Sequence, residues 1–215
     1  MLLVRREQPA DIAAIRQVHA LAFGRSAEAN LVDTLRMRGK AVLSLVAVEG
    51  DRIVGHILFS PVTIESDDHT FPAVGLAPMA VLPEFQRRGI GSLLVKASLV
   101  ECQHLGYDGV VVLGHPSYYP RFGFVPASRY GIQSEYEAPD EAFMIVALRE
   151  GALRDWGGLA RYPPEFHEVC MKDTSHMPEI IELHSKDAAR WQPQLIAVAG
   201  RGGRRSLSRV SRPAL

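Results

Sequence analysis

The spacing of apolar positions changes period several times along the chain, and each change marks an element. Leu2 to Arg5 reads as a short strand; Pro9 then suits a first helical turn, and Asp11 favours the positive end of a helix dipole. Ile12, Ile15, Val18 and Ala22 recur at helical spacing, as do Leu31 and Leu35 within Ala27 to Arg38, a second helix that Gly39 is suited to end. The period then shortens. Ala41 to Val48 and Arg52 to Val62 are rich in β-branched and aliphatic residues and flank Gly50-Asp51, so the pair predicts a β-hairpin.

A polar stretch, Glu65 to Thr70, leads into Ala73 to Val81, a continuous apolar run of the kind found in a central strand buried on both faces. From Gly89 the helical period returns, with Ile90, Leu93, Leu94, Ala97 and Val100 predicted to share one buried face and Gly106 to form the left-handed stop. Gly109 to Leu113 reads as another buried strand, so strand, helix and strand predict a right-handed βαβ crossover. Glu141 to Leu148 supplies a late strand. Residues 1–169 are therefore expected to form one folded unit, and 170–215 a tail with little period. That tail ends in Arg201, Arg204, Arg205 and Arg209; it reads as a disordered terminus, with a basic arm for nucleic acid or a partner as the alternative.

Composition narrows the class. At 215 residues the chain suits one well-buried α/β domain with an appendage. Its 24 basic and 24 acidic residues cancel, which weighs against nucleic acid as a partner for the whole molecule. Cys102 and Cys170 are too few for a disulfide framework and suit a reducing, cytoplasmic setting. No apolar run approaches the roughly 20 residues that span a bilayer, so no membrane partner is expected.

The segment richest in chemistry is Leu82-Pro83-Glu84-Phe85-Gln86-Arg87-Arg88-Gly89-Ile90-Gly91-Ser92, between a buried strand and a helix. Amides of such a loop and of the first helical turn have no intrahelical partner, so with the helix dipole they can hold a pyrophosphate. Gly89 and Gly91 remove Cβ atoms that would block the approach, and Arg87 and Arg88 add positive charge. An ATP-type loop is excluded, because no Lys followed by Ser or Thr sits at the required spacing. A dinucleotide fingerprint fits poorly, since Leu94 stands where a third glycine belongs and Asp108 precedes the next strand.

The segment resembles motif A of the GNAT superfamily, the Gcn5-related N-acetyltransferases, whose [QR]-x-x-G-x-[GA] signature is matched by Gln86, Gly89 and Gly91. Val81-Leu82-Pro83-Glu84 precedes it as in that family, and Tyr119-Pro120-Arg121-Phe122-Gly123-Phe124 resembles the later Y-x-x-x-G-F element. Within the superfamily, Gly114 to Phe124 is most similar to the bacterial YhbS-like predicted N-acetyltransferases. The resemblance, covering roughly Leu2 to Val169, implies an α/β fold: a mixed, mostly antiparallel central sheet with a βαβ acyl-CoA-binding crossover and flanking helices. It also implies acetyl-CoA as co-substrate, a small-molecule or peptide amine as acceptor, and is compatible with a homodimer.

Carried over by position, the resemblance implies that the backbone of Met79, Ala80 and Val81 holds the pantetheine arm and polarises the thioester carbonyl. Gln86, Arg87, Arg88, Gly89, Ile90, Gly91 and Ser92 would hold the pyrophosphate. Tyr119 takes the role of acid toward the leaving thiolate, with Tyr118 read as packing. The strand Ala73 to Val81 carries no acid or histidine, although many members of the family place a glutamate there. His115 is then the first candidate base, because an unperturbed histidine near pKa 6.5 suits proton removal at neutral pH. That missing base also keeps a catalytically silent acyl-CoA-binding module open as a rival.

The other reactive residue types read more quietly. His56 lies within a strand and is expected to be a hydrogen-bonded core or edge histidine. Glu65, Asp67, Asp68 and His69 read as a solvated loop in preference to a cationic-substrate contact, and Cys102 as a structural thiol. His167, Cys170, His176 and His184 do not match a zinc spacing, so no metal is expected.

Overall fold

The structure, a computed structural model, describes residues 1–167. In chain order the elements are β1 (Leu2–Arg6), α1 (Ile12–Phe23), α2 (Ala27–Met37), β2 (Leu43–Glu49), β3 (Arg52–Glu65), β4 (Thr70–Val81), α3 (Ile90–His104), β5 (Gly109–Leu113), β6 (Val125–Pro126), β7 (Ile132–Ser134), β8 (Phe143–Ala147) and β9 (Gly158–Arg161). The sheet runs β1-β2-β3-β4-β5-β8-β6, and β9 pairs with both β3 and β7. Only β4–β5 and β7–β9 are parallel, so the sheet is mixed and mostly antiparallel, as expected, with α3 as the crossover between the parallel pair. The tail expected at 170–215 lies outside the described residues.

The β2–β3 hairpin turns through Gly50 at φ +62°, a conformation that a side chain would strain. β3 continues to Glu65, so the polar stretch shrinks to a tight turn in which the Ser66 amide donates to the His69 carbonyl at 2.9 Å. β4 is correspondingly longer than Ala73 to Val81, and its burial is not continuous. Residues 73–76 are buried, whereas Ala77, Met79 and Val81 are half-buried.

A register shift explains the difference. Ile57 pairs with Met79 and Phe59 with Leu76, so three steps on β4 match two on β3. The bulge falls at Ala77-Pro78, where proline has no amide to offer a ladder. Beside it, β4 and β5 pair only at Val74↔Val110 and Gly75↔Val111, although Val112 and Leu113 remain laddered to β8. Beyond Gly75 the two parallel strands therefore form a fork.

The two faces of the sheet are covered differently. A Cβ on Gly55 would lie 3.1 Å from Leu94 and 3.2 Å from Ile90, so that residue faces α3, while its neighbour His56 faces α1. The buried residues of α3 are Ile90, Leu94, Val95, Ser98 and Cys102, which corrects the expected face: Val100 is 52% exposed. Ser98 can be buried because its hydroxyl donates to the Leu94 carbonyl at 2.7 Å within the helix. Likewise in α1, Ile12 is exposed and His19 is buried in its place.

Candidate donor site and the buried polar chain

β4 passes into α3 through a loop tied down from both sides. The Leu82 amide donates to the Val54 carbonyl at 2.9 Å, and the Gln86 side-chain amide donates to the Val81 carbonyl at 3.0 Å. Arg88 reaches back to Glu49 at 2.7 Å and Arg52 to Glu84 at 2.7 Å, with both guanidiniums over the Phe85 ring, 5.0 and 5.2 Å from its centroid. Gln86 and Arg88 thus shape the loop, and the charge of Arg88 is offset by a carboxylate. Arg87 and Gly89 both adopt left-handed backbone, φ +60° and +80°, a conformation costly for arginine and free for glycine.

This path delivers the start of α3 with its amides in view. The first helical bond runs from the Leu93 amide to the Gly89 carbonyl at 3.0 Å, so the amides of Ile90, Gly91 and Ser92 precede it. Arg87, Arg88 and Gly89 are exposed, and a Cβ on Gly89 would meet nothing within 4 Å. Open space, three unladdered amides and a positive helix end are what a pyrophosphate requires. The fork beside Met79, Ala80 and Val81 continues this space as a slot in which backbone groups on the β5 side lack a strand partner.

Across the fork stands a turn that begins at His115, whose carbonyl accepts from the amides of Tyr118 at 3.0 Å and Tyr119 at 3.4 Å. Counting on from Gly75↔Val111, Gly114 lies level with Pro78. Tyr119 covers Gly114 so closely that a Cβ there would lie 2.5 Å from its ring; only glycine admits it. Tyr119 is 8% exposed, and burial, followed by the neighbouring Tyr118, pushes its phenol above the usual range. Tyr118 stands edge-on to Tyr119 at 5.1 Å, with its hydroxyl beside Gly91 and 3.5 Å from Ser92 Oγ. His115 is itself buried at the fork end of β5.

The other titratable groups are organised in a separate place. On the α1 side, His19 Nε2 lies 2.7 Å from His56 Nδ1, His56 Nε2 lies 2.8 Å from Ser44 Oγ, and the Ser44 hydroxyl donates to Glu7. Arg36 closes the chain on Glu7 at 2.6 Å. Since the Ser44 proton goes to the carboxylate, His56 Nε2 must donate to Ser44 and His56 Nδ1 must accept from His19. His56 is therefore neutral, which its burial also favours, and burial, lowering His19 to about 2, keeps that ring neutral as well. Glu7, despite its own burial, is held at about 2 by His56, Arg36 and Ser44. His56 is the hydrogen-bonded core histidine that its strand position predicted.

Cys102 is buried and its thiol is pushed up to about 12, which makes it inert. Glu65 lies 3.5 Å from Arg161, and Asp67, Asp68 and His69 are exposed. Among the described residues no three His, Cys, Asp or Glu side chains converge as a metal site; Cys170, His176 and His184 fall outside them.

A sheet forked between two parallel strands, with a phosphate-type loop at the mouth of the fork, is the architecture of an acyltransferase that uses a nucleotide-borne thioester. The family model described as an acetyltransferase (GNAT) domain matches residues 3–127. The chain belongs to the GNAT acetyltransferase family. An uncharacterised N-acetyltransferase from Escherichia coli K12, YhbS, is 34% identical over 167 residues, covering 77% of this chain and 99% of that protein. The crystal structure of E. coli YhbS in complex with CoA superposes with a TM-score of 0.73 at 34% identity, over 77% of this chain and 92% of that one. A GNAT family acetyltransferase from Brucella melitensis in complex with acetyl-CoA gives a TM-score of 0.62 at 35% identity, over 77% and 98%.

Proposed function

We propose that the chain is an N-acetyltransferase that moves the acetyl group of acetyl-CoA onto an amine of a small molecule or peptide, by direct attack in a ternary complex. The observation that carries this is the fork between β4 and β5 opening at the mouth of the Gln86 to Ser92 loop. When bound, acetyl-CoA supplies the activated acyl group and a thiolate leaving group. The amides of Ile90, Gly91 and Ser92 hold its pyrophosphate, and the edge of Met79, Ala80 and Val81 holds its arm and polarises the carbonyl, a contribution worth about 10²- to 10³-fold per donor.

Tyr119 protonates the departing sulfur. Its raised phenol keeps the proton in place at neutral pH, and its ring, fixed over Gly114, cannot swing away from the fork. His115 accepts the proton of the attacking amine, in the same turn that carries Tyr119. The unit responsible is residues 1–169, acting in the cytoplasm, where buried Cys102 stays a thiol.

The test is release of free CoA from acetyl-CoA across a library of amine acceptors, with Tyr119→Phe and His115→Gln run beside the unaltered protein. Acceptor-dependent release that both variants diminish supports the assignment. Acetyl-CoA binding with no release from any acceptor would leave a silent acyl-CoA-binding module in its place.

A further inference from the structure

Tyr118 sits next to the tyrosine that the family motif singles out, yet its hydroxyl points elsewhere. A Cβ built on Gly91 would lie 2.9 Å from that hydroxyl, with the Met79 methyl and sulfur next at 3.7 and 3.9 Å. The phenol oxygen thus occupies the angle between the first turn of α3 and β4, where a phosphate held on the turn passes into an arm held along the strand. Ser92 Oγ, on the same first turn, lies 3.5 Å from it.

The ring is held for this purpose. Tyr118 is 6% exposed, edge-on to Tyr119 at 5.1 Å and to Phe122 at 5.3 Å, and Arg121 lies over its face at 4.8 Å. Gly91 acquires a second reason to be small. Besides any approach by a ligand, it makes room for this hydroxyl.

Resting on the donor site proposed above, we propose that Tyr118 is a further donor-binding residue: its hydroxyl donates to an oxygen of acetyl-CoA where the pyrophosphate joins the pantetheine arm, and Gly91 is required to admit it. The role is one of positioning. Tyr119 keeps the proton transfer, and Tyr118 fixes the arm from which the thioester hangs.

The experiment measures CoA affinity by calorimetry, and KM and kcat for acetyl-CoA, in Tyr118→Phe, Gly91→Ala and the double variant of the full chain. Loss of one hydrogen bond to a charged or strongly polar acceptor predicts CoA binding weakened about tenfold or more in Tyr118→Phe, with KM raised and kcat at saturation nearly kept. Gly91→Ala weakens binding in the unaltered background and adds little once the hydroxyl is gone, because its Cβ then clashes with nothing. S-acetylpantetheine as alternative donor locates the oxygen: a Tyr118→Phe effect confined to acetyl-CoA places it on the phosphate, and an effect on both places it on the arm. Unchanged CoA affinity in Tyr118→Phe overturns the proposal, as does a Gly91→Ala loss of equal size in both backgrounds. Gly89→Glu separates the two levels: if it binds CoA normally the donor site itself is wrong, and if it does not while Tyr118→Phe does, only the role of Tyr118 falls. Thermal unfolding without ligand, which Tyr118→Phe should leave nearly unchanged, shows that the fold is intact.

Discussion

The face of the sheet carrying α3 and the face carrying α1 and α2 use polar groups in opposite ways. On the α3 side, the loop that leads into the helix is exposed at Arg87, Arg88 and Gly89, bent through two left-handed residues and followed by backbone amides, none of which can change charge. On the other side, Glu7, Ser44, His56 and His19 form a buried chain of titratable groups that fasten β1, β2, β3 and α1, and Arg36 adds α2. Judged by residue type, the second region looks the more catalytic. Judged by physics it is locked, because its protons have assigned places and burial opposes a charge on either histidine, even with Glu7 facing His56. The binding chemistry proposed for this chain falls to the region that ionises least.

The sharpest way to break the contrast is to fill the open loop. Gly89→Glu should abolish the rise in melting temperature that acetyl-CoA confers, since a carboxylate would occupy the phosphate space; Gly89→Asn, which tolerates left-handed backbone, should keep most of it. NAD and ATP should not replace acetyl-CoA. An unchanged shift in Gly89→Glu would mean that the loop is not the anion site.

Next in size is the acceptor preference. With no acid or histidine between Ala73 and Val81, and the buried chain from Glu7 to His19 locked, removal of the amine proton rests on the proposed His115 and is weakly assisted. A lysine-type amine near pKa 10.4 is neutral about 0.04% of the time at pH 7, against roughly 10 to 20% for an α-amine near 7.7 to 8.0. A low-pKa amine should therefore outrun a matched high-pKa one by about a hundredfold or more in kcat/KM, with the gap narrowing from pH 6.5 to 9.5. A preference for the high-pKa amine at pH 7 would reveal an effective base elsewhere.

Tyr119→Phe should bind acetyl-CoA nearly normally while kcat falls by about tenfold or more, because only the hydroxyl proposed to meet the leaving sulfur is removed. Equal turnover in the variant and the unaltered protein would move the acid to another group.

The smallest effect belongs to the locked chain and should appear in stability. His56→Leu interrupts it and leaves buried partners unmatched, a cost of about 1 to 3 kcal/mol that thermal unfolding reads as a fall of several degrees. Acid should act in the same direction. His19 and His56 are depressed in the folded state, so their contribution is complete above pH 6.5 and declines below it; that of Glu7 is complete above 4.5 and lost toward 2. Unfolding free energy should thus decline from about pH 6.5 downward, and more shallowly in His19→Leu/His56→Leu, whereas a pH-independent difference between the two proteins would show that the histidines are not held neutral.

Local signals made much of this legible. Glycines at turn and helix-stop positions, the change of apolar period at Ala41 and Gly89, and the glycine-flanked loop each depend on neighbours within a few residues, so the hairpin, the crossover and the bent loop before α3 could be read from the chain. β6, β7 and β9 were not legible, because strands of two to four residues carry too little period. Nor was the buried face of α3, since Ser98 is polar by type and becomes buriable only through its own helix.

What the sequence by itself determined was the order of elements and the kind of ligand the loop can take, both consequences of short-range conformational preference. Tertiary structure alone decided which of two adjacent tyrosines covers Gly114 and which reaches Gly91, because one residue of difference in a turn lays one ring over the end of β5 and carries the other hydroxyl to the first turn of α3. It also decided that His19, Glu7 and Ser44, scattered over 37 positions, meet at His56 and silence it. A histidine becomes a base or a strut according to the solvent and partners around its ring, and those are set by packing between elements that no local pattern brings together.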